Sequence, residues 1–215
     1  AAKQALEIGF DFELQAIGDG FRLVAGLDEV GRGCLAGPVV AAACILDPGR
    51  AVPEGLNDSK KLTASQREKI AEELRETAVA YAVGAVEAEE IDRINILEAT
   101  KKAMMLALAA LPAPADFLLI DALQLRDVRV PQKAIIKGDS ISYSIAAASV
   151  IAKTHRDALM CGYDAEYPAY GFAGHKGYGA AVHLKALREH GPCPLHRRSF
   201  RGVLPESEQG TNPLL

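Results

Sequence analysis

The chain has 215 residues, of which 49% are hydrophobic, with 24 Lys/Arg against 28 Asp/Glu for a net charge of −4. That length suits one domain, or one domain with a small appendage, and the apolar content is enough for a core. The acidic balance excludes an indiscriminate polyanion binder, and no stretch approaches the ~20 consecutive apolar residues of a transmembrane helix.

The first 20 residues hold a short apolar-periodic segment from Leu6 to Ile17, an N-terminal arm or helix to which no chemistry is assigned. They lack the basic-then-apolar pattern of a signal peptide. The four cysteines, Cys34, Cys44, Cys161 and Cys193, form no C-x-x-C pair. Free thiols in a reducing, cytoplasmic setting are expected.

Phe21 to Val30 reads as a first strand and Pro38 to Leu46 as a second, and the short glycine-rich connection makes them an antiparallel pair. Asp47-Pro48-Gly49 stops the second. Thr63 is placed to N-cap an amphipathic helix over Ala64 to Thr77. Val79 to Val86 is a third strand. Glu87 to Leu111 reads as one long helix, closed by Pro112. Asp116 to Asp121 and Val130 to Lys137 are two further strands, and the intervening helices imply parallel crossovers. Ser142 to Cys161 is an alanine-rich helix. Tyr163 to Leu204 combines a glycine-rich loop, a helix near Ala180 to His190 and a basic tail. Residues 205–215 are expected to be disordered. The pattern describes a mixed α/β fold over residues 21–204.

Three apolar strands end on acids: Asp28-Glu29, Asp121 and Asp139. Strand ends of an α/β sheet converge at its carboxyl edge, where ligands bind. Four carboxylates there repel one another unless a cation joins them. Oxygen-only ligands favour Mg²⁺ or Mn²⁺, and two such ions about 3.5–4 Å apart clamp an in-line displacement at phosphorus. Neighbouring strand residues point to opposite faces, so Asp28 and Glu29 share one site only if the strand bends or ends there. Gly31 and Gly33 permit that bend. Each acid also has a plain structural use: pairing with Arg32, capping a turn at Asp121, or N-capping the Ser142 helix at Asp139. From Pro131 to Arg201 there are ten Lys/Arg and five Asp/Glu. This surplus suits a basic face for a phosphate backbone, or an ordinary solvated surface.

Asp28-Glu-Val-Gly31-Arg32-Gly33-Cys-Leu-Ala-Gly-Pro38-Val-Val-Ala-Ala-Ala43 resembles the opening strand of bacterial ribonuclease HII, the type 2 ribonuclease H, and later motifs extend the likeness over about residues 22–204. The resemblance implies a ribonuclease H-like fold: a five-stranded mixed sheet flanked by helices, with C-terminal helical additions. It implies Asp28, Glu29, Asp121 and Asp139 as catalytic, metal-binding acids, with Mg²⁺ or Mn²⁺ in a two-metal site. Asp157, the rival for the fourth position, lies within a helix and suits salt bridges. Gly31-Arg32-Gly33 matches the segment that contacts the backbone at an RNA-to-DNA junction. Tyr178, in His175-Lys-Gly-Tyr178, matches the aromatic that packs on the following sugar. Asn57, Ser59 and Lys60 match a family loop; their amide, hydroxyl and cation suit a phosphate, or the loop simply starts the next helix. His196 to Phe200 matches a C-terminal motif that either touches the duplex or seals the core. One departure stands out: the family commonly has glycine after the third acid, and here Ala122 occupies that place.

The implied activity is hydrolysis of the RNA strand of RNA·DNA hybrids and incision 5′ of single ribonucleotides in duplex DNA, leaving 3′-hydroxyl and 5′-phosphate ends. The substrates are then the partners, with no membrane involved. A metal-dependent DNA nuclease or phosphatase on the same acids is the alternative enzyme. A nucleotide-binding module is weaker, because the glycine-rich turn lacks the Gly-Lys-Ser/Thr of a P-loop.

Overall fold

The computed structural model describes residues 7–205. Five strands form one sheet in the order β3-β2-β1-β4-β5: β1 Val24–Val30, β2 Val39–Ile45, β3 Ala80–Val86, β4 Phe117–Asp121 and β5 Gln132–Ile135. The pairs β1–β2 and β2–β3 are antiparallel, and β1–β4 and β4–β5 are parallel. The expected five-stranded mixed sheet is therefore present. The helices are α1 Asp11–Gly18, α2 Ala64–Thr77, α3 Ala88–Ile94, α4 Ile96–Ala109, α5 Tyr143–Glu166, α6 Phe172–His175 and α7 Ala181–His190.

Two apolar layers cover the two faces of the sheet. Ala25, Leu27, Ala41 and Ala43 pack with Ala99, Ala103 and Met104 of α4 on one face. Val40, Ala42 and Cys44 pack with Ala146–Ala148 of α5 and with Leu74 of α2 on the other. Small side chains set the spacing. A Cβ on Gly26 would lie 2.1 Å from the Ser144 carbonyl carbon, so α5 rests directly on the backbone of β1. Thr63 caps α2 with a full capping box, its side chain accepting from Gln66 N.

Three expected boundaries are corrected. The run from Glu87 to Leu111 is two helices, not one. Asn95 breaks it at φ 71° and then caps α4, its side chain accepting from Leu97 N and Glu98 N. The two hydrogen bonds its side chain accepts hold this positive-φ backbone in place, and the apolar stripe continues through the break, so periodicity alone does not reveal it. The helix expected to end at Cys161 continues to Glu166. The last strand is Gln132–Ile135, so Asp139 follows it through a turn rather than directly. The expected tail lies outside the described residues except for Pro205, as do the first residues of the N-terminal arm.

The N-terminal segment has a role that its sequence does not advertise. Glu13 of α1 is 1% exposed. Its carboxylate accepts from Ser142 Oγ at 2.7 Å and from Ser144 N at 2.9 Å, holding the start of α5. A carboxylate at a helix N-terminus also meets the positive end of the helix dipole.

Candidate active site

The site is built where β1, β4 and β5 end. Leu27 is paired with Ile120 across β1 and β4, so Asp28 and Asp121 are each one residue beyond that pair. Strand alternation sends both to the α5 face, since Gly26 abuts α5 and Leu119 packs with Ile145. Asp28 is 5% exposed. Burial raises its pKa well above the ordinary carboxylate value, and the charges of Glu29 and Asp121 push it further, against hydrogen bonds from Ser149 and from Glu29 N.

Glu29 leaves β1 on the opposite face. The strand does not end there, because its ladder with β2 runs on through Val30 and Val40. The turn comes at Gly31, with φ 88°. Glu29 nevertheless feels Asp121 and Lys60 across the edge, and burial raises its pKa against the pull of Arg32. Arg32 Nη1 stands 3.4 Å from Glu29 Oε1, while Glu29 Oε2 is buried with no hydrogen-bond partner. Asp121 Oδ1 accepts from Gly138 N at 2.8 Å. This bond ties β4 to the turn that carries Asp139. Asp139 is 4% exposed. Its pKa is raised by burial and by Asp58 and Asp121, with Lys60 opposing at 3.9 Å.

All four predicted acids are thus brought within electrostatic reach, with Asp121 common to the other three. Among the described residues, no three His, Cys, Asp or Glu side chains stand close enough together to hold a metal ion. The donor set still fits a hard divalent cation: it is all oxygen, it is largely buried, and one of its oxygens lacks a partner. Asp157, the rival fourth acid, is committed elsewhere. Lys153 Nζ lies 2.7 Å from it and Arg67 Nη2 3.6 Å.

An open groove beside the acids is lined by Lys60, Lys61, Asp121, Ile136, Lys137 and Asp139. The Asn57–Lys60 loop forms one wall. Asn57 Oδ1 accepts from Asp58 N and Lys61 Nζ. The Lys60 side chain is 82% exposed. Ser59 is buried instead, its hydroxyl paired with Ser149 Oγ at 2.8 Å behind Asp28. Asp58, inside the same motif, was not singled out in the sequence and is the carboxylate that most strongly raises Asp139.

Gly31 is required by its backbone and by space, since a Cβ there would lie 2.2 Å from Arg156 Nε. Gly33 is different: nothing lies within 4 Å of a Cβ built on it, and Arg32 and Gly33 are both exposed. Tyr178 is 43% exposed. Lys153 Nζ lies 5.9 Å from its ring centroid, and burial, with the Cys34 thiol beside it, raises the pKa of its hydroxyl. Between the two uses left open for His196 to Phe200, the contacts favour sealing. His196 and Arg197 are buried, and Asp92 accepts from Arg198 N and Ser199 N. Arg156 and Arg197 are both 0% exposed, so two of the ten basic residues counted toward a basic face are interior.

Ala122 sits at φ 51°, in the left-handed region, where the departure from glycine falls. Relief of that strain, about 1 kcal/mol, roughly offsets the entropy that glycine adds to the unfolded chain. Ala122→Gly is therefore expected to match or slightly exceed wild-type stability in urea denaturation. A loss of about 1 kcal/mol, the ordinary cost of Ala to Gly, would show that the strain is absent.

Residues 25–203 match the family model described as Ribonuclease HII. A ribonuclease HII from Chlamydia caviae is 58% identical over 193 residues, covering 89% of this chain and 90% of the relative. One from Ruminiclostridium cellulolyticum is 53% identical over 197 residues, covering 92% and 77%. Among solved structures, the ribonuclease H2 from Pyrococcus horikoshii OT3 superposes with a TM-score of 0.72 at 27% identity, covering 85% of this chain and 95% of that one. The family match spans nearly the whole sheet-and-helix unit and the strand ends that carry the acids, and the chain belongs to the ribonuclease HII family, endoribonucleases of the ribonuclease H fold that depend on divalent metal.

Proposed function

We propose that this protein incises the ribonucleotide-containing strand of duplex nucleic acid on the 5′ side of a ribonucleotide, whether within RNA·DNA hybrid or at a single ribonucleotide embedded in DNA. The products carry 3′-hydroxyl and 5′-phosphate ends. The observation that carries the reading is the concentration of buried carboxylate at one sheet edge, with Asp28 desolvated against Asp121 and Glu29 Oε2 left without a partner. A polyanion approaches such a place only if cations come with it.

Asp28, Glu29, Asp121 and Asp139 hold Mg²⁺ or Mn²⁺ in this reading. Bound there, the ions supply charge neutralisation and Lewis acidity for in-line displacement at phosphorus. The chain's own groups do the rest. Ser149, braced by Ser59, orients the Asp28 carboxylate. Gly138 N fixes Asp121. Lys60 lines the groove and binds substrate phosphate, with Asn57 and Ser59 contributing through the shape of the loop. The turn Gly31-Arg32-Gly33 presents its exposed part, Arg32 and Gly33, to the 2′-hydroxyl, the group that separates RNA from DNA at one nucleotide, while buried Gly31 sets the path of the backbone. The half-exposed ring of Tyr178 takes the sugar that follows.

The test is a duplex carrying one ribonucleotide, incubated with Mg²⁺, with Mn²⁺ and with chelator, beside an all-DNA control. Metal-dependent incision 5′ of the ribonucleotide, with the control intact, is expected. Equal cutting of all-DNA duplex would favour a general DNA nuclease. The fourth acid is tested by two variants. Asp139→Asn is expected to lose about 10²-fold or more in turnover. Asp157→Asn, which removes only ion pairs with Lys153 and Arg67, loses far less. The reverse order would exchange their roles.

A further inference from the structure

Two arginines are fully buried, and neither forms an ion pair among the described residues. Arg156, on α5, donates from Nε to Pro38 O at 2.9 Å, from Nη1 to Lys176 O at 2.8 Å and from Nη2 to Ala36 O at 3.0 Å. Arg197 donates from Nε and Nη2 to Gly37 O at 3.0 and 2.9 Å, and from Nη1 to Arg32 O at 2.9 Å. Every acceptor is a backbone carbonyl in one of two loops. Arg32, Ala36, Gly37 and Pro38 belong to the turn after β1, and Lys176 directly precedes Gly177 and Tyr178. The loops also join each other, since Leu35 N donates to Gly177 O at 2.8 Å.

A buried charge with no contact ion pair is expensive, even with Asp92 and Glu87 acting on Arg197 from farther off, and plain packing is served more cheaply by an apolar side chain. A guanidinium is the one side chain that reaches several carbonyls at once in a fixed plane, which a lysine ammonium does not reproduce. Asp28 and Glu29 do not depend on this arrangement, because the β1–β2 ladder holds them through Val30 and Val40. The carboxylates and the two loops are therefore held by different contacts, the acids by the strand ladder and Ser149 and the loops by the two guanidinium groups.

We propose that Arg156, which bridges the turn after β1 and the Lys176–Tyr178 segment, and Arg197, which braces that turn at Arg32 and Gly37, are positioning residues that hold the two loops as one rigid unit, so that they set selectivity for the ribonucleotide junction separately from the chemistry at the acids. The inference rests on the junction-reading role given above to the Gly31–Gly33 turn and Tyr178. His183 adds to the unit. Cys193 N donates to His196 Nδ1, which leaves His196 Nε2 to donate to His183 Nε2 and His183 Nδ1 to donate to Tyr178 O.

The test compares Arg156→Lys, Arg197→Lys and Tyr178→Ala on two substrates, a duplex with one embedded ribonucleotide and a continuous RNA·DNA hybrid, at fixed Mg²⁺. The quantity read is the ratio of kcat/KM between the substrates. A misplacement of 1 Å costs up to about 10²-fold, so the ratio is expected to fall about 10-fold in either Arg variant, mainly through kcat on the embedded ribonucleotide. A residue that only keeps the protein folded lowers both substrates together, and an unchanged ratio would overturn the proposal. If Tyr178→Ala leaves the ratio unchanged, the junction reading itself fails. If Tyr178→Ala moves it and the Arg variants do not, only the locking role fails. Should both Arg variants not fold, native-state hydrogen exchange of the wild type decides. The amides of Leu35, Gly37 and Tyr178, bonded to Gly177 O, Leu195 O and His175 O, are expected to open together at one rate. Independent opening of the two loops would contradict a single unit.

Discussion

Asp28→Asn is expected to abolish cleavage, to below about 10⁻³ of wild type, and to make the metal-free protein more stable at neutral pH. The two effects share one cause. Asp28 is buried beside Glu29 and Asp121, and its folded pKa lies well above its unfolded value. The folded state therefore binds more protons than the unfolded state between those two values, so stability falls as pH rises through the folded pKa. Below the unfolded pKa the carboxyl is neutral in both states and there is no penalty. The effective cost of a buried ion is several kcal/mol, and the amide, which keeps some partners, is expected to recover roughly 2 kcal/mol, or about 4–8 °C in Tm. The gain is largest at pH 8 and shrinks on acidification. Thermal melts of both proteins in chelator across that range check it. A gain independent of pH would mean that packing, and not charge, separates the two.

Tyr178→Ala is expected to cut turnover on a single embedded ribonucleotide by roughly 5- to 150-fold, the equivalent of one lost stacking contact of about 1–3 kcal/mol. Part of the loss falls on kcat, because the contact positions the scissile phosphate. Continuous hybrid loses less, since no deoxyribose follows the cut there. Tyr178→Phe keeps the ring and removes only the hydroxyl beside Cys34. It is expected to be mild, because the ring face makes the stacking contact. Equal losses on both substrates for Tyr178→Ala would make the ring a general structural element.

Asp28, Glu29 and Asp121 were legible in the sequence because they lie at the ends of apolar runs, and Asp139 because it follows the next strand within a few residues; any one of them alone has a plain structural use, and together they do not. The sheet was legible for a similar reason: its first four strands are largely apolar segments, while β5, Gln132–Ile135, is short and partly polar. Ala122 was legible as an oddity, and the structure supplies its physical content in a left-handed backbone. Other features depend on contacts far apart in the chain. Glu13 reaches Ser142 across 129 positions, and Arg197 reaches Arg32 across 165. Nothing local marks either as buried, and arginines in a basic window read naturally as surface. Ser59 looked like a polar loop residue for the same reason, although Ser149 draws it inward. Asn95 hid a helix break because the apolar stripe continues through it while its side chain caps the next helix.

The central claim is that the repulsion among Asp28, Glu29, Asp121 and Asp139 is the folding cost of a divalent metal site. Thermal unfolding at pH 7.5 over a Mn²⁺ titration, with no substrate present, measures it directly, because a ligand that binds only the folded state raises the midpoint by mass action. The wild type and Asp157→Asn are expected to rise together, while Asp28→Asn, Glu29→Gln, Asp121→Asn and Asp139→Asn start at or above the wild type and respond less. Equal Mn²⁺-dependent shifts in the wild type and all four acid variants would place the metal elsewhere and contradict the account.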